Sequence, residues 1–187
     1  MKTLGLIGGT SWVSTIDYYK YINQMVNEKL GGINSAKLLM YSMNMEDLFK
    51  YGSANDWAGL GFFLSDIAKK LETQGAEALI LCANTPHIAA NAVQKNIGIP
   101  LIHIVDETAK EIAKHKIGKV ILLGTKITME QDFFKKRLLN YGIESIVPEA
   151  DDREFIHVSI FNELGKGIFS PETKKKYLAI IDKLKKT

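Results

Sequence analysis

The sequence predicts an α/β protein built around parallel strands. Short aliphatic runs, rich in β-branched residues, alternate along the 187 residues with longer segments that have the apolar spacing of amphipathic helices. Glycines stand where helical segments end and strands begin, as at Gly75, Gly118 and Gly142. This alternation is typical of βα units around a parallel sheet.

Six strands fit this pattern, and each is followed by turn residues or by the start of a helix. The first run ends at a pair of glycines, and the third is followed by Asn, Thr and Pro, which commonly begin helices. The strands are expected at 4–7, 37–42, 78–83, 100–104, 120–123 and 145–148. The helices are expected at 14–30, 56–74, 86–96, 107–115, 129–141, 153–165 and from 171 onward.

Composition and charge argue against several classes of protein. With 46% hydrophobic and 24% charged residues the chain has the composition of a soluble globular protein, and a net charge of +3 is too small to indicate a nucleic-acid partner. Its apolar runs are far shorter than the ~20 residues of a membrane span, and the N-terminus leads into a glycine turn instead of a signal peptide. We therefore expect a cytoplasmic protein with no membrane partner. The single cysteine, Cys82, allows no internal disulfide and no paired-cysteine metal site, so no metal is expected.

A motif recurs in the two halves of the chain. Gly9-Thr10, followed by Asp17-Tyr18-Tyr19-Lys20, matches Gly124-Thr125, followed by Asp132-Phe133-Phe134-Lys135, at a constant offset of 115 residues. A matched aromatic pair alone indicates core packing, but here the Gly-Thr turn recurs with it. The sequence therefore predicts two similar Rossmann-like parallel-sheet halves related by a pseudo-two-fold axis.

The boundary between these halves is expected near Ile99 and Pro100, giving domains 1–99 and 100–187. Because ligands of open parallel sheets bind beyond the carboxyl ends of the strands, a pocket is expected between the turns of the two halves. Helix N-termini and small polar side chains in these turns suit a small carboxylate. Those side chains belong to Thr10, Ser11, Asn84, Thr85, Thr125 and Thr128. The alternative for Ser11, Thr85 and Thr128 is that they are simply N-caps.

The turns do not match the common nucleotide motifs. The first one lacks the Gly-x-Gly-x-x-Gly pattern, no acid follows the second strand, and no Gly-Lys-Ser or Gly-Lys-Thr string occurs. No cofactor is expected.

Four segments together resemble the aspartate/glutamate racemase family over essentially the whole chain. They are Gly-Gly-Thr-Ser-Trp at 8–12, Asn-Thr-Pro-His at 84–87, Gly-Thr-x-x-Thr-Met-Glu-Gln-Asp-Phe at 124–133 and Pro-Glu-Ala-Asp at 148–151. The resemblance implies PLP-independent inversion of the α-carbon of an acidic or other amino acid, with one residue removing a proton and another delivering one to the opposite face. The expected ligand is a small amino acid or dicarboxylate.

The first catalytic position of the family falls on Ala83, where the resemblance implies cysteine or sometimes threonine. A methyl group transfers no proton. Cys82 is one position earlier on the strand, so we expect it to point to the other side and to be buried. His87 is expected either to approach the pocket or to serve the helix or a neighbouring carbonyl group.

The second catalytic position lies, in the family, in a Gly-Cys-Thr-Glu turn that this sequence does not contain. The repeat offset places it about ten residues beyond Thr187, so the second half is expected to be incomplete, with the lysines of its last helix on a solvated face. An apolar edge left by a missing strand would favour association, which makes a homodimer compatible with the sequence.

Two further positions depart from the family pattern. Gly52 occupies the substrate-binding position after the second strand, where relatives often have Gln or Arg nearby, and Phe155 stands where they have a basic residue. The sequence thus predicts a racemase-family protein whose catalysis is impaired. Two alternatives stay open: a non-catalytic protein that binds a small carboxylate or amino acid on the same scaffold, and a one-base decarboxylase or isomerase of the same superfamily.

Overall fold

The computed structural model describes residues 1–186. They divide into two compact units, with the division between Ile104 and Val105. The strand that follows the predicted boundary at 99/100 pairs within the first sheet, which is why the first unit extends beyond that boundary.

The first unit contains a four-stranded parallel sheet in the order β2-β1-β3-β4. Its strands are β1 (Thr3–Gly8), β2 (Lys37–Ser42), β3 (Ala78–Leu81) and β4 (Leu101–Ile102). Because β1 lies between β2 and β3, Leu6 and Ile7 are almost completely buried. The predicted α/β class with parallel strands is confirmed.

The helices of this unit are α1 (Trp12–Leu30), α2 (Met45–Ser53), α3 (Trp57–Thr73), a 3-10 turn (Thr85–Ala89) and α4 (Ala90–Lys95). Helix α3 supplies much of the core, because Leu60, Leu64 and Leu71 recur at helical spacing and pack in one cluster with Leu79 and Leu81 of β3. Helix α2 was not predicted from the sequence. Its N-cap, Asn44, accepts a hydrogen bond from the Glu46 amide at 3.2 Å.

The second unit contains a two-stranded parallel sheet formed by β5 (Lys119–Ile121) and β6 (Glu144–Ile146). Its helices are α5 (Ile104–Lys114, whose first residue belongs to the first unit), α6 (Lys126–Glu130), α7 (Asp132–Leu139), α8 (Ala150–Asn162) and α9 (Pro171–Leu184), with a 3-10 turn at Leu164–Lys166. Met129, Ile156, Ile180 and Leu184 form a buried cluster. The single helix predicted at 129–141 is interrupted at Gln131, whose backbone is extended.

The two copies of the repeated motif have different local structures. Gly9 has a φ of 87°, and a Cβ atom there would lie 2.0 Å from the carbonyl oxygen of Met43, so the first turn requires glycine. Gly124 has no such backbone requirement. Of the paired aromatics, Tyr19 is 52% exposed whereas Phe134 is 7% exposed, so a core role holds for Phe134 and not for Tyr19.

Within residues 1–186, none of the helices has both the length and the apolar character that crossing a bilayer requires.

Candidate functional site

The turns after β1 and β3 lie side by side, because these strands are neighbours in the first sheet. The Cys82 amide donates to the carbonyl of Ile7 at 2.9 Å, and the Ser14 hydroxyl donates to the carbonyl of Cys82, also at 2.9 Å. Two of the three turns that the sequence singled out therefore meet at the carboxyl edge of this sheet.

The turn after β1 is held by its own hydroxyl groups. Ser11 is the N-cap of α1 and accepts from the Ser14 amide at 3.5 Å, while the Gly9 amide donates to Thr15 Oγ1 at 2.9 Å. Thr10 is 8% exposed and its hydroxyl faces the sulfur of Met43 at 3.9 Å. The hydroxyls of this turn thus already have partners within the first unit.

In the turn after β3, a partly exposed segment lies between buried residues. Ala83, Asn84 and Thr85 are half-buried, whereas Cys82 before them and the Pro86-His87 pair after them are buried. The Asn84 carbonyl accepts from the His87 amide at 3.0 Å, and the Asn84 side chain makes no capping hydrogen bond. The three partly exposed residues of this turn are therefore ones that the resemblance to the racemase family singled out in the sequence.

The thiol of Cys82 is enclosed. It is 1% exposed, and burial raises its pKa to about 12. The pKa of Tyr18 is also raised to about 12, first by burial and then by its proximity to Cys82. Because the thiolate is the reactive form of cysteine, Cys82 is poorly suited to proton transfer at neutral pH. Cys82 is buried as expected, but the predicted strand 78–83 ends at Leu81, which is also buried, so strand alternation does not explain it.

The His87 side chain bridges two backbone groups. Its Nδ1 lies 2.8 Å from the carbonyl oxygen of Ala83, and its Nε2 accepts from the Ile104 amide at 3.3 Å. Its ring contacts His103 edge to face, with 4.5 Å between the ring centroids. Of the two roles expected for His87, these distances fit a hydrogen bond to a neighbouring carbonyl group, that of Ala83.

Gly52 lies in the last turn of α2 rather than in a loop, and its carbonyl accepts from the Asn55 amide at 3.2 Å. Helix α2 follows β2 closely, so it starts from the same edge of the sheet as the two turns.

In the second unit, the turn after β5 carries Thr125 as the N-cap of α6. Thr125 Oγ1 accepts from the Thr128 amide at 3.3 Å and lies 3.3 Å from the Thr128 hydroxyl. Thr128 is fully buried. The Lys126 amide donates to His157 Nδ1 at 3.2 Å. The turn is therefore stabilised both by its own threonines and by a histidine of α8.

Charged side chains surround this second turn. The Lys126 ammonium pairs with Glu154, and Arg153 reaches both Glu130 at 3.0 Å and the carbonyl of Pro148 at 2.7 Å. Burial lowers the pKa of His157, and the positive charge of Lys126 lowers it further.

At position 155, where the resemblance implies a basic residue, the Phe155 ring packs against Tyr177 with 5.9 Å between centroids. The Lys176 ammonium lies 3.9 Å from the centre of the Phe155 ring. The residue at this position is therefore aromatic, and the nearby cation belongs to α9.

Ser14, Thr15 and His157 were not predicted from the sequence as contributors to these turns. Ser14 and Thr15 follow the N-cap Ser11 by three and four residues, a spacing that places hydroxyls back over the first turn of a helix. His157 had no comparable local signal, because its partner amide is 31 residues away in the sequence.

A family model described as Asp/Glu/hydantoin racemase matches residues 7–187. Among curated proteins, the broad specificity amino-acid racemase RacX of Bacillus subtilis (strain 168) is 38% identical over 81 residues, or 43% of this chain. The match spans about a third of that relative, 35% of its length.

Two crystal structures are similar over most of this chain. A candidate Asp/Glu racemase from Yersinia pestis is 44% identical with a TM-score of 0.90, and the match covers 99% of this chain and 81% of that one. An aspartate racemase homologue from Pyrococcus horikoshii OT3 is 39% identical with a TM-score of 0.77, covering 90% and 74% respectively.

Proposed function

Because the chain belongs to the Asp/Glu/hydantoin racemase family, we propose that it binds a small amino acid or dicarboxylate at the carboxyl edge of its four-stranded sheet, and that Ala83 impairs inversion of the ligand's α-carbon. The observation that carries this proposal is the turn after β3. It leaves Ala83 partly exposed, at the position where the family resemblance implies a proton carrier, and encloses the neighbouring thiol.

The binding part of the proposal rests on the polar groups of this turn. Asn84 offers both hydrogen-bond donors and acceptors, so it can contact either the carboxylate or the ammonium group of an amino acid. Thr85 adds a hydroxyl next to it, and both residues are partly exposed. Roles for Thr10, Ser11, Gly52, Thr125 and Thr128 in substrate binding stay predictions from the sequence.

The catalytic part rests on proton chemistry. Inversion without a cofactor requires a proton carrier on each face of the α-carbon, and one general acid or base typically contributes about 10² to 10⁴ in rate. The methyl group of Ala83 cannot act as one, and the thiol of Cys82 has a pKa of about 12. The ring nitrogens of His87 both contact backbone groups.

The same alanine favours a second candidate, a non-catalytic protein that binds amino acids or small carboxylates on the racemase scaffold. The two candidates share the ligand and differ in turnover. Independence from cofactors, a cytoplasmic location and assembly as a homodimer are further parts of the proposal, and they rest on the sequence analysis.

Isothermal titration calorimetry with L- and D-aspartate and L- and D-glutamate, followed by other amino acids, tests the binding part. Asn84→Ala removes the proposed contact, and we expect it to weaken binding by about 10- to 100-fold, the loss of a hydrogen bond to a charged group. Asn91→Ala, in an exposed asparagine of α4, is the matched control and should bind as the parent does. Equal affinities of the two variants would contradict the assignment of Asn84.

A further inference from the structure

His87 is 2% exposed and lies directly after the partly exposed part of the turn that carries Ala83. Its imidazole connects that turn to the first residue of α5, because one nitrogen faces the Ala83 carbonyl and the other faces the Ile104 amide. These two backbone groups are 21 residues apart in the sequence. One buried side chain thus ties the candidate site to the backbone at the end of the first unit.

The chemistry of its two partners fixes where the proton of this imidazole is. A carbonyl oxygen can only accept, so Nδ1 must carry the hydrogen that points at Ala83, 2.8 Å away. A backbone amide can only donate, so Nε2 must offer its lone pair to Ile104. The geometry therefore requires the neutral imidazole with its hydrogen on Nδ1.

From this arrangement we infer that His87 is a positioning residue: its Nδ1–H holds the peptide group of Ala83 and so sets the direction in which the side chain at position 83 projects. This inference rests on the proposed function, because position 83 is where the family pattern places a proton carrier. His87 is not proposed to contact the substrate.

Two substitutions separate the hydrogen bonds. His87→Asn keeps a donor near the location of Nδ1 and loses the acceptor for Ile104, because the asparagine amide is too short to reach it. His87→Gln keeps an acceptor near the location of Nε2 and loses the donor to the Ala83 carbonyl. Each variant loses one hydrogen bond to a backbone group, and only His87→Gln loses the one that holds the Ala83 carbonyl.

Both substitutions are made in the full chain carrying Ala83→Cys, and the alkylation rate of the introduced thiol by iodoacetamide is measured as a function of pH. We expect His87→Asn to leave the profile within about 2-fold of the Ala83→Cys parent, and His87→Gln to change it by roughly 2- to 10-fold, as expected for one hydrogen bond. The chain that retains Ala83 serves as the control, because any alkylation that it shows must come from Cys82. Equal profiles for the two variants would overturn the inference.

A second readout is the exchange of the α-hydrogen of aspartate in heavy water. If Ala83→Cys supports exchange, His87→Gln should lower kcat with little change in KM, because positioning acts on the reaction more than on binding. A proportional loss in both His87 variants would contradict the inference. Should no variant exchange the hydrogen, the catalytic part of the proposed function fails, and the alkylation profile alone decides the role of His87.

A third measurement requires no variant. Long-range ¹H–¹⁵N correlation spectra of the unmodified chain report which ring nitrogen of each histidine carries a proton. For His87 we expect Nδ1 protonated and Nε2 unprotonated at neutral pH. The opposite tautomer, or a doubly protonated ring, would overturn the inference even if the substituted chains failed to fold.

Discussion

At the residue scale, the turn after β3 places two neighbouring side chains in opposite environments. Ala83 is partly exposed and chemically inert, whereas Cys82 carries the only thiol of the sequence and is 1% exposed. Both residues lie in the bend that follows β3, which ends at Leu81. Cys82 therefore has a group that could transfer a proton but is not accessible, whereas Ala83 is accessible but has no such group.

Cys82 should be unreactive in the folded chain. Because burial raises its pKa to about 12, the thiolate is a minute fraction of the thiol at pH 8. We expect no labelling by iodoacetamide in native buffer and one label per chain in guanidinium chloride, measured by intact mass. Labelling of the native chain at the rate of a free thiol would contradict the assigned burial.

Thr125 combines a structural role with a predicted binding role, and two substitutions distinguish them. Thr125→Val removes the hydroxyl that caps α6, at a cost of about 1 kcal/mol in the free energy of unfolding. If the hydroxyl also contacts the ligand, calorimetry should show weaker binding for Thr125→Val, whereas Thr125→Ser should retain both stability and affinity. Unchanged affinity of folded Thr125→Val would remove Thr125 from the site.

At the element scale, the sequence predicted all six strands, with the ends of β2 predicted to the residue. Short aliphatic runs are a local signal, so these strands could be predicted without knowledge of their tertiary contacts. Helix α2 was missed because its nine residues contain Gly52 and Ser53 and bury only Leu48. The interruption at Gln131 carried no glycine or proline to mark it. The bridge made by His87 depends on a contact with Ile104 in another element, which local pattern cannot reveal.

The link between α6 and α8 should make stability sensitive to acid. The pKa of His157 is lowered from 6.5 first by burial and then by Lys126, so the unfolded chain binds this proton more readily than the folded chain. The contribution of His157 is therefore fully present above pH ~6.5 and is lost as the pH falls from there through the lower folded-state pKa.

His157→Asn retains an acceptor for the Lys126 amide but does not titrate. In urea denaturation between pH 5 and 7, the unmodified chain should lose more stability on acidification than His157→Asn does. His115→Asn, at a histidine whose side chain is 67% exposed, is the control and should behave as the parent. A pH dependence of His157→Asn equal to that of the parent would show that His157 does not contribute.

At the scale of the whole molecule, the repeat with an offset of 115 residues correctly indicated an α/β organisation with a parallel sheet in each unit. It did not predict that the turns differ. Gly9 is required by a close backbone contact with Met43, whereas Thr125 caps its own helix. The repeated motif thus has the same order of strand, turn and helix in both units, but the residues that stabilise the turn differ between them.

Measurement of α-hydrogen exchange in heavy water shows whether residue 83 limits catalysis. L- and D-aspartate and L- and D-glutamate are incubated with the full chain, and loss of the α-proton is followed by ¹H NMR while chiral chromatography follows inversion. We predict no measurable exchange or inversion for the unmodified chain, exchange for Ala83→Cys or Ala83→Thr, and none for Ala83→Val, which matches threonine in shape but lacks the hydroxyl. Exchange without inversion in the unmodified chain would indicate a one-base enzyme. Robust racemisation by the unmodified chain would show that residue 83 does not limit catalysis.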